Sequence, residues 1–338
     1  MARALLSLLF LLVLAAPAAA ADNPWLERRQ MNIAHQGGED EFPSNTMFAY
    51  KSAIALGADM LELDVNIAKD GQNVVMHDTH LGRMCHPELN VSDFTLAELK
   101  QRFDPACRDW KDSYAGIATG EKKLPKDLRK RGCTREDFPI SSLREVLEAF
   151  PHALINIEIK GAAPDHVEAQ TWAESTAAGK PTAWENADAL AAILNEPQIK
   201  ADHLGNTIVV SFAESAIERF HLAAPDYDIA TGTEFTAQFW ATSQGPLPGA
   251  TDGRHAAVQP PEVFSGLTVL TQDFVTDAHA NGLAVHPWTI DDAPTMEKLL
   301  DWGVDGIMTN RPSLLESILE RRRAEAQVAQ QLSAARRR

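Results

Sequence analysis

Two stretches of this chain carry groups able to move charge and protons. One is His35-Gln36-Gly37-Gly38. The other is Leu61-Glu62-Leu63-Asp64-Val65, followed by Val74-Val75-Met76-His77-Asp78. Read as strand, Glu62 and Asp64 stand two residues apart and share one face. Lys69-Asp70-Gly71-Gln72 lies between Asp64 and His77. Asp-Gly between apolar runs predicts a tight hairpin, because both central residues of that turn need positive φ. With Asp70-Gly71 as the turn, Lys69 pairs with Gln72, and the same register sets Asp64 opposite His77. Cross-strand partners have β-carbons about 4.5–5.5 Å apart, so a carboxylate pair and an imidazole would share one small patch. Farther on, Ile157-Glu158-Ile159-Lys160 puts Glu158 and Lys160 on one face in the same way.

These types suit hydrolysis of a charged ester. Carboxylate oxygens are ligands for hard cations such as Ca²⁺ or Mg²⁺, and three clustered carboxylates without a cation repel one another. Histidine titrates near neutrality, so one of a pair can be a neutral base while the other is a protonated acid. Plainer readings exist for each. Glu62 and Asp64 could form a salt bridge at a strand end, Glu158 and Lys160 an ion pair with each other, and His35 a cap. Trp288 walls a pocket or packs in a core. Gln36 and Asn45 hydrogen-bond a phosphate or shape a turn.

The elements that position these groups follow from pattern. Asn32-Ile33-Ala34 reads as a strand ending at His35. Pro43-Ser44-Asn45-Thr46 opens a helix running to Leu56, with Asn45 or Ser44 as N-cap and Gly57 as its stop. Strand, helix and strand from His35 to Glu62 make a βαβ unit and a parallel pair. Residues 80–140 read as irregular, except for a helix over 95–103 with Thr95 and Glu98 as a capping box. Residues 104–138 are either an insertion over a barrel mouth or a surface loop.

Later elements are a helix over 141–150, the strand with Glu158, and a helix over 165–195 broken near Gly179-Lys180-Pro181. A strand over 207–212, a helix over 214–223 and a weaker strand over 228–233 follow. The Gly/Pro-rich stretch 246–261 reads as loop, with 255–259 a poor strand candidate. Then come a helix over 272–280 with an Asn281-Gly282 cap, a strand over 283–289, a helix over 295–302, a strand over 305–310 and a closing helix with a basic end over 314–338. About eight strand–helix repeats predict an α/β fold, a (β/α)₈ TIM barrel. An open doubly wound sheet is the rival, but its Gly-rich dinucleotide turn is missing. Nine strand candidates are counted, so the arm at 74–77 is set outside the barrel. His35, Glu62, Asp64, Glu158, Lys160, Ser211, Trp288 and Asn310 all fall at strand C-terminal ends, where barrels build active sites.

Composition limits the partners. With a net charge of −16, nucleic-acid backbones are excluded, and an anionic substrate must be held by a metal ion or a lysine. Arg3, a short Leu/Ala run and Ala18-Ala19-Ala20 describe a signal peptide over residues 1–20. Export, with no stable membrane insertion after cleavage, and one barrel domain over 21–338 are the expectations. Cys85, Cys107 and Cys133 predict one disulfide and one spare thiol, with the connectivity open. The arginines at 321–323 and 336–338 read as a solvated tail or a contact for an anionic membrane surface.

Taken together, these residues resemble the glycerophosphodiester phosphodiesterase family over nearly the whole mature chain. The likeness is carried by Ile33-Ala34-His35-Gln36-Gly37 with Pro43-Ser44-Asn45-Thr46, by Glu62-Leu63-Asp64-Val65 with Lys69-Asp70-Gly71, and by Val75-Met76-His77-Asp78 with Leu81 and Arg83. Ile157-Glu158-Ile159-Lys160, His286-Pro287-Trp288-Thr289 and Gly306-Ile307-Met308-Thr309-Asn310 extend it. The resemblance implies a metal-dependent barrel hydrolase releasing glycerol 3-phosphate and an alcohol. His35 and His77 would be its acid/base pair. Glu62, Asp64 and Glu158 would hold one Ca²⁺ or Mg²⁺, and Lys160 would meet the phosphate. It also implies attack by the substrate's glycerol hydroxyl and a cyclic phosphate that water opens. The chain departs from the family at Gln36, where an arginine is usual, and at Ser44, where a glutamate is usual. Two rivals remain: phospholipase D-like hydrolysis of lysophospholipids, needing an apolar rim near Phe239-Trp240 or 104–138, and a barrel that binds phosphodiesters without turnover.

Overall fold

The alternation of the strands decides what faces the site. In the computed structural model, which describes residues 23–28, 30–163, 182–243 and 253–337, eight parallel strands form a ring. They are β1 (Met31–Ala34), β2 (Met60–Ile67), β3 (Leu154–Ile159), β4 (Thr207–Val210), β5 (Asp228–Ala230), β6 (His255–Val258), β7 (Ala284–Val285) and β8 (Gly306–Thr309). Neighbours follow chain order from β1 to β7, and β8 pairs with β1. The last gap is bridged by Asp305 N–H to Val285 O at 3.0 Å and Met308 N–H to Pro287 O at 2.9 Å.

Every residue of β2 is buried, as expected of a strand covered on both faces. Leu61, Leu63 and Val65 join Ile155, Ile157 and Ile159 in the layer packed against the outer helices. Met60 belongs to the inner cluster with Ile33, Ile208 and Met308. Period two then sends Glu62 and Asp64 inward above Met60, and Glu158 inward beside them. Trp25, fully buried, belongs to that inner cluster, and its indole donates to Asp228 Oδ2 at 2.8 Å.

The arm Asn73–Val75 pairs antiparallel with β2 and lies off the ring, as the strand count required. Its register corrects the expectation. Val65 faces Val75 and Ile67 faces Asn73, so Asp64 meets Met76, whose N–H reaches Asp64 O at 2.9 Å. The loop has three residues rather than two. Gly71 N–H bonds Ala68 O, Ala68 N–H bonds Gln72 O, and Gly71 takes φ +78°. This three-residue loop, ending in a left-handed glycine, shifts pairing by one residue. The helix Met47–Ala55 is capped by Thr46, which accepts from Ala49 N–H at 3.1 Å, and not by Asn45 or Ser44. Residues 255–258, read as a poor strand candidate, are barrel strand β6. A helix over Thr233–Ser243 was not foreseen.

Residues 80–140 pack on small cores of their own, one around Leu81, Leu99 and Phe103, the other around Phe48, Ile117 and Phe138. The predicted helix is Leu96–Arg102 with the Thr95/Glu98 capping box in place. Cys85 and Cys107 form the disulfide, and Cys133 is the spare thiol. The expected leader and the break near Gly179 lie outside the described residues. Among the described residues, no helix is long and apolar enough to cross a membrane.

Candidate active site

The carboxylates of Glu62 and Asp64, from the first half and middle of β2, converge with that of Glu158 near the end of β3. One oxygen from each lies within 4.8 Å of the other two. A Ca²⁺ or Mg²⁺ ion with ligand distances of about 2.0–2.6 Å fits oxygens so spaced. Lys160 Nζ stands 2.5 Å from Glu158 Oε1 and 3.2 Å from Asp64 Oδ1. Three carboxylates and one ammonium leave two negative charges, which is the complement of a divalent cation. The donor set therefore fits a hard ion.

A strained loop holds these carboxylates. Gln36 (φ 52°) and Asn45 (φ 57°) both adopt left-handed backbone, and Asn45 N–H bonds Gln36 O at 2.9 Å. Asparagine accepts that region readily, glutamine less so. The conformation aims Gln36 N–H at Glu62 Oε2, at 2.7 Å, and Asn45 Nδ2 at Asp64 Oδ2, at 2.8 Å. Tyr50 donates to Asn45 Oδ1 at 2.7 Å and fixes that amide. Gln36 and Asn45, read as phosphate contacts or as turn formers, do not line the main cavity; they hold the carboxylates by these bonds.

Burial sorts the acids. It pushes the Glu62 carboxyl well above its ordinary range, with the charges of Asp64 and Glu158 adding to the effect. Burial also raises Glu158, with Lys160 opposing. For Asp64 burial acts upward too, but Lys160, His77 and His35 outweigh it and hold the group ionised.

The two histidines are tethered differently. His35 Nδ1 donates to Asn310 Oδ1 at 2.6 Å, and Asn310 Nδ2 donates to Asp291 Oδ2 at 3.0 Å. This chain of bonds leaves Nε2 of His35 without its proton when the ring is neutral. Burial lowers the His35 pKa, ahead of the opposing effect of Asp64. His77 Nδ1 donates to the Asp78 carboxylate at 2.7 Å. Burial would lower His77 as well, but Asp64 and the bond to Asp78 overcome it and raise its pKa. Burial presses Asp78 upward, and its bonds to His77 and Arg83 bring it down to about 2.

Both histidines, Glu158, Lys160 and Trp288 line one cavity of about 340 Å³. Its other wall is apolar, with Val210, Phe212, Trp240, Phe264 and Leu267. Trp288 packs edge-on against Phe212 at 5.4 Å and donates to Gln259 O at 2.6 Å. Phe239 is core, and no residue of 104–138 lines this cavity. Arg83, Asp78, Asn310 and Asp291 were not singled out as site residues. Asp78 had a signal in its place beside His77, and Asn310 had one at a strand end. Arg83 had none for its target. Its guanidinium donates to Gln36 Oε1 at 3.1 Å and to Glu39, and approaches Ser44 Oγ at 3.4 Å. It thus meets both positions that depart from the family pattern.

Comparison with known proteins decides the lineage. Residues 35–314 match the model of the glycerophosphoryl diester phosphodiesterase family. The chain belongs to this family. With that membership it is an enzyme, a phosphoric diester hydrolase. A glycerophosphodiester phosphodiesterase of Bacillus subtilis is 29% identical over 318 residues, covering 93% of this chain and 94% of that protein. A human protein named lysophospholipase D GDPD1 is 39% identical over 130 residues, 38% of this chain and 36% of that one. In fold, the chain resembles an Oleispira antarctica phosphodiesterase in complex with the product sn-glycerol-3-phosphate. That match has TM-score 0.59 at 20% identity and covers 85% of this chain and 96% of that one. The glycerophosphodiester phosphodiesterase of Agrobacterium tumefaciens has TM-score 0.57 at 18% identity, over 86% and 99%. These neighbours are barrels like this one.

Proposed function

We propose that this chain is an exported, metal-dependent enzyme that hydrolyses glycerophosphodiesters to glycerol 3-phosphate and an alcohol, with His35 and His77 as its proton carriers. The observation that carries the reading is the meeting of three carboxylate oxygens within 4.8 Å, one of them from Glu158, which shares a cavity with Lys160, His35 and His77. Glu62, Asp64 and Glu158 would hold Ca²⁺ or Mg²⁺, which when bound supplies positive charge to the phosphate oxygens. Lys160 adds the charge of its ammonium from the cavity wall. His35, shifted toward its neutral form by burial and held by Asn310 with Nε2 bare, takes the proton of the attacking hydroxyl at Nε2. His77, shifted toward its cation by Asp64 and by its bond to Asp78, gives a proton to the departing alcohol oxygen. The Cys85–Cys107 disulfide supports export, since such bonds persist in oxidising compartments.

The deciding assay is release of glycerol 3-phosphate from glycerophosphocholine, with and without chelator. Product that disappears with chelator and returns with added ion is the expected result. Undiminished product in chelator would remove the metal from the reading, and no product in any ion would remove the activity. The rate should follow a bell in pH. The base must be neutral, and His35 lies below its ordinary 6.5, so the acid limb falls below that value. The acid must be protonated, and His77 lies above 6.5, so the alkaline limb falls above it. Asp78→Asn removes a charge that favours imidazolium and should move the alkaline limb to lower pH. An unmoved limb would show that His77 is not the acid.

The apolar wall favours a second activity at the same centre. Phe212, Trp240, Phe264 and Leu267 line the same cavity as the polar groups and suit an aliphatic chain, as in a lysophospholipid. The partial likeness to lysophospholipase D supports this reading. Of the two places expected for the apolar rim, Trp240 supplies part of this wall, while no residue of 104–138 lines the cavity.

A further inference from the structure

The mouth of the cavity carries a feature that phosphodiester chemistry does not call for. Val263–Phe264 and Leu267–Thr268 form a two-stranded antiparallel hairpin, with Phe264 opposite Leu267. Ser265 (φ 49°) and Gly266 (φ 81°) both adopt left-handed backbone, as a tight two-residue hairpin turn requires. All residues from 263 to 268 are exposed. Val263, Phe264 and Leu267 keep 53%, 53% and 54% of their surface in water. An apolar cluster of that kind marks an interaction site.

Three observations identify what covers it. Phe264 and Leu267 also line the catalytic cavity, beside Val269 and Trp240. One apolar surface therefore runs unbroken from the outside of the hairpin to the reaction centre. Trp240 braces it, donating from its indole to Thr268 O at 3.2 Å. Second, residues 263–270 include no charged side chain, and Glu262 at the base is neutralised by Lys298 at 2.5 Å. Third, the chain has net charge −16. An acidic protein with an uncharged tip is repelled by anionic surfaces at long range. The same tip enters the headgroup and acyl boundary of a zwitterionic surface without needing a counter-charge.

We propose that the hairpin 263–268 is a docking lip for a zwitterionic lipid surface, from which single-chain phosphodiester amphiphiles pass along one apolar track into the cavity. The substrate half of this inference rests on the phosphodiesterase reading. The docking half does not, and it is measured in chelator, where no turnover intervenes.

The test is flotation of the full chain with phosphatidylcholine vesicles in EDTA, alongside phosphatidylglycerol vesicles. Wild type should float with phosphatidylcholine and bind phosphatidylglycerol less. Val263→Asp combined with Ser265→Asp charges the outer face, and neither side chain lines the cavity. That variant should lose at least tenfold in bound fraction while hydrolysing water-soluble glycerophosphocholine within twofold of wild type. Absence of wild-type flotation, equal flotation of the variant, or stronger binding to phosphatidylglycerol would overturn the proposal. Should the double variant fail to fold, quenching of wild-type tryptophan fluorescence by brominated phosphatidylcholine reads the same docking through Trp240, and no quenching overturns it. Flotation without any glycerophosphocholine hydrolysis would sink the phosphodiesterase reading and leave the lip standing.

Discussion

Turnover of glycerophosphocholine is expected to fall by about 10²–10⁴-fold when either His35 or His77 becomes alanine, the range that a positioned acid or base contributes. The fold should survive. Each ring makes one strong side-chain bond, to Asn310 or to Asp78, and losing one such bond costs about 1 kcal/mol. The two variants should differ in kind as well as in rate. His35→Ala removes the group whose neutral form is needed, so its residual rate should lose the acid limb of the pH profile. His77→Ala should lose the alkaline limb instead. Initial rates across pH, with circular dichroism to check folding, read both. A residual rate within tenfold of wild type in either variant would strip that histidine of its role. Exchanged limbs would keep the pair but reverse the assignment of base and acid.

Glu62→Gln should abolish ion-induced stabilisation and lower turnover by at least about 10²-fold, comparable to losing one electrostatic contact to the reacting phosphate. The reasoning starts from the charge already present. Burial and two neighbouring carboxylates push the Glu62 carboxyl well above its ordinary range. A raised carboxyl binds its proton more tightly in the folded chain than in the unfolded one. Its charged form therefore burdens the fold as pH rises through that elevated pKa, and the burden persists at neutral pH. A neutral amide removes it, while Gln36 N–H can still donate to the amide oxygen. Without ion, the variant should melt no lower than wild type. With Ca²⁺ or Mg²⁺ at about 100 times the dissociation constant, wild type should gain about 2.7 kcal/mol and the variant nothing. Thermal melts in EDTA and in added ion measure both. Equal gains in the two proteins would place the ion elsewhere.

The shared face of Glu62 and Asp64 was legible because strand geometry forces it: alternate residues point the same way whatever surrounds them. The same rule placed Glu158 with Lys160. The approach of His77 was argued through a register that the protein does not use. Asp-Gly pairs serve two-residue and three-residue loops alike, and the choice rests on backbone bonds from Ala68 that composition does not encode. His77 still reaches the patch, because the chain has left the arm at Val75 before its side chain is placed. Strand β6 reads as a poor candidate because His255-Ala256-Ala257-Val258 has little β-branched content and sits in Gly/Pro-rich surroundings. The parts of Gln36 and Asn45 depend on left-handed backbone at non-glycine residues, for which asparagine gives only a general preference and glutamine no advance sign. Arg83 could be seen in the sequence, but its contacts arise from long-range packing of residues 80–140 onto the strand ends.

His35, at the end of the first strand, takes its orientation from Asn310, which lies 275 residues later beyond the last strand. Until the ring shuts, the imidazole has nothing to hold its tautomer, and the base is not tuned. If His35 is the base, catalytic competence would wait on completion of the chain. On the proposed reading, a chain still emerging from the ribosome, or one clipped before residue 310, would carry all three clustered carboxylates yet lack the bond that orients His35.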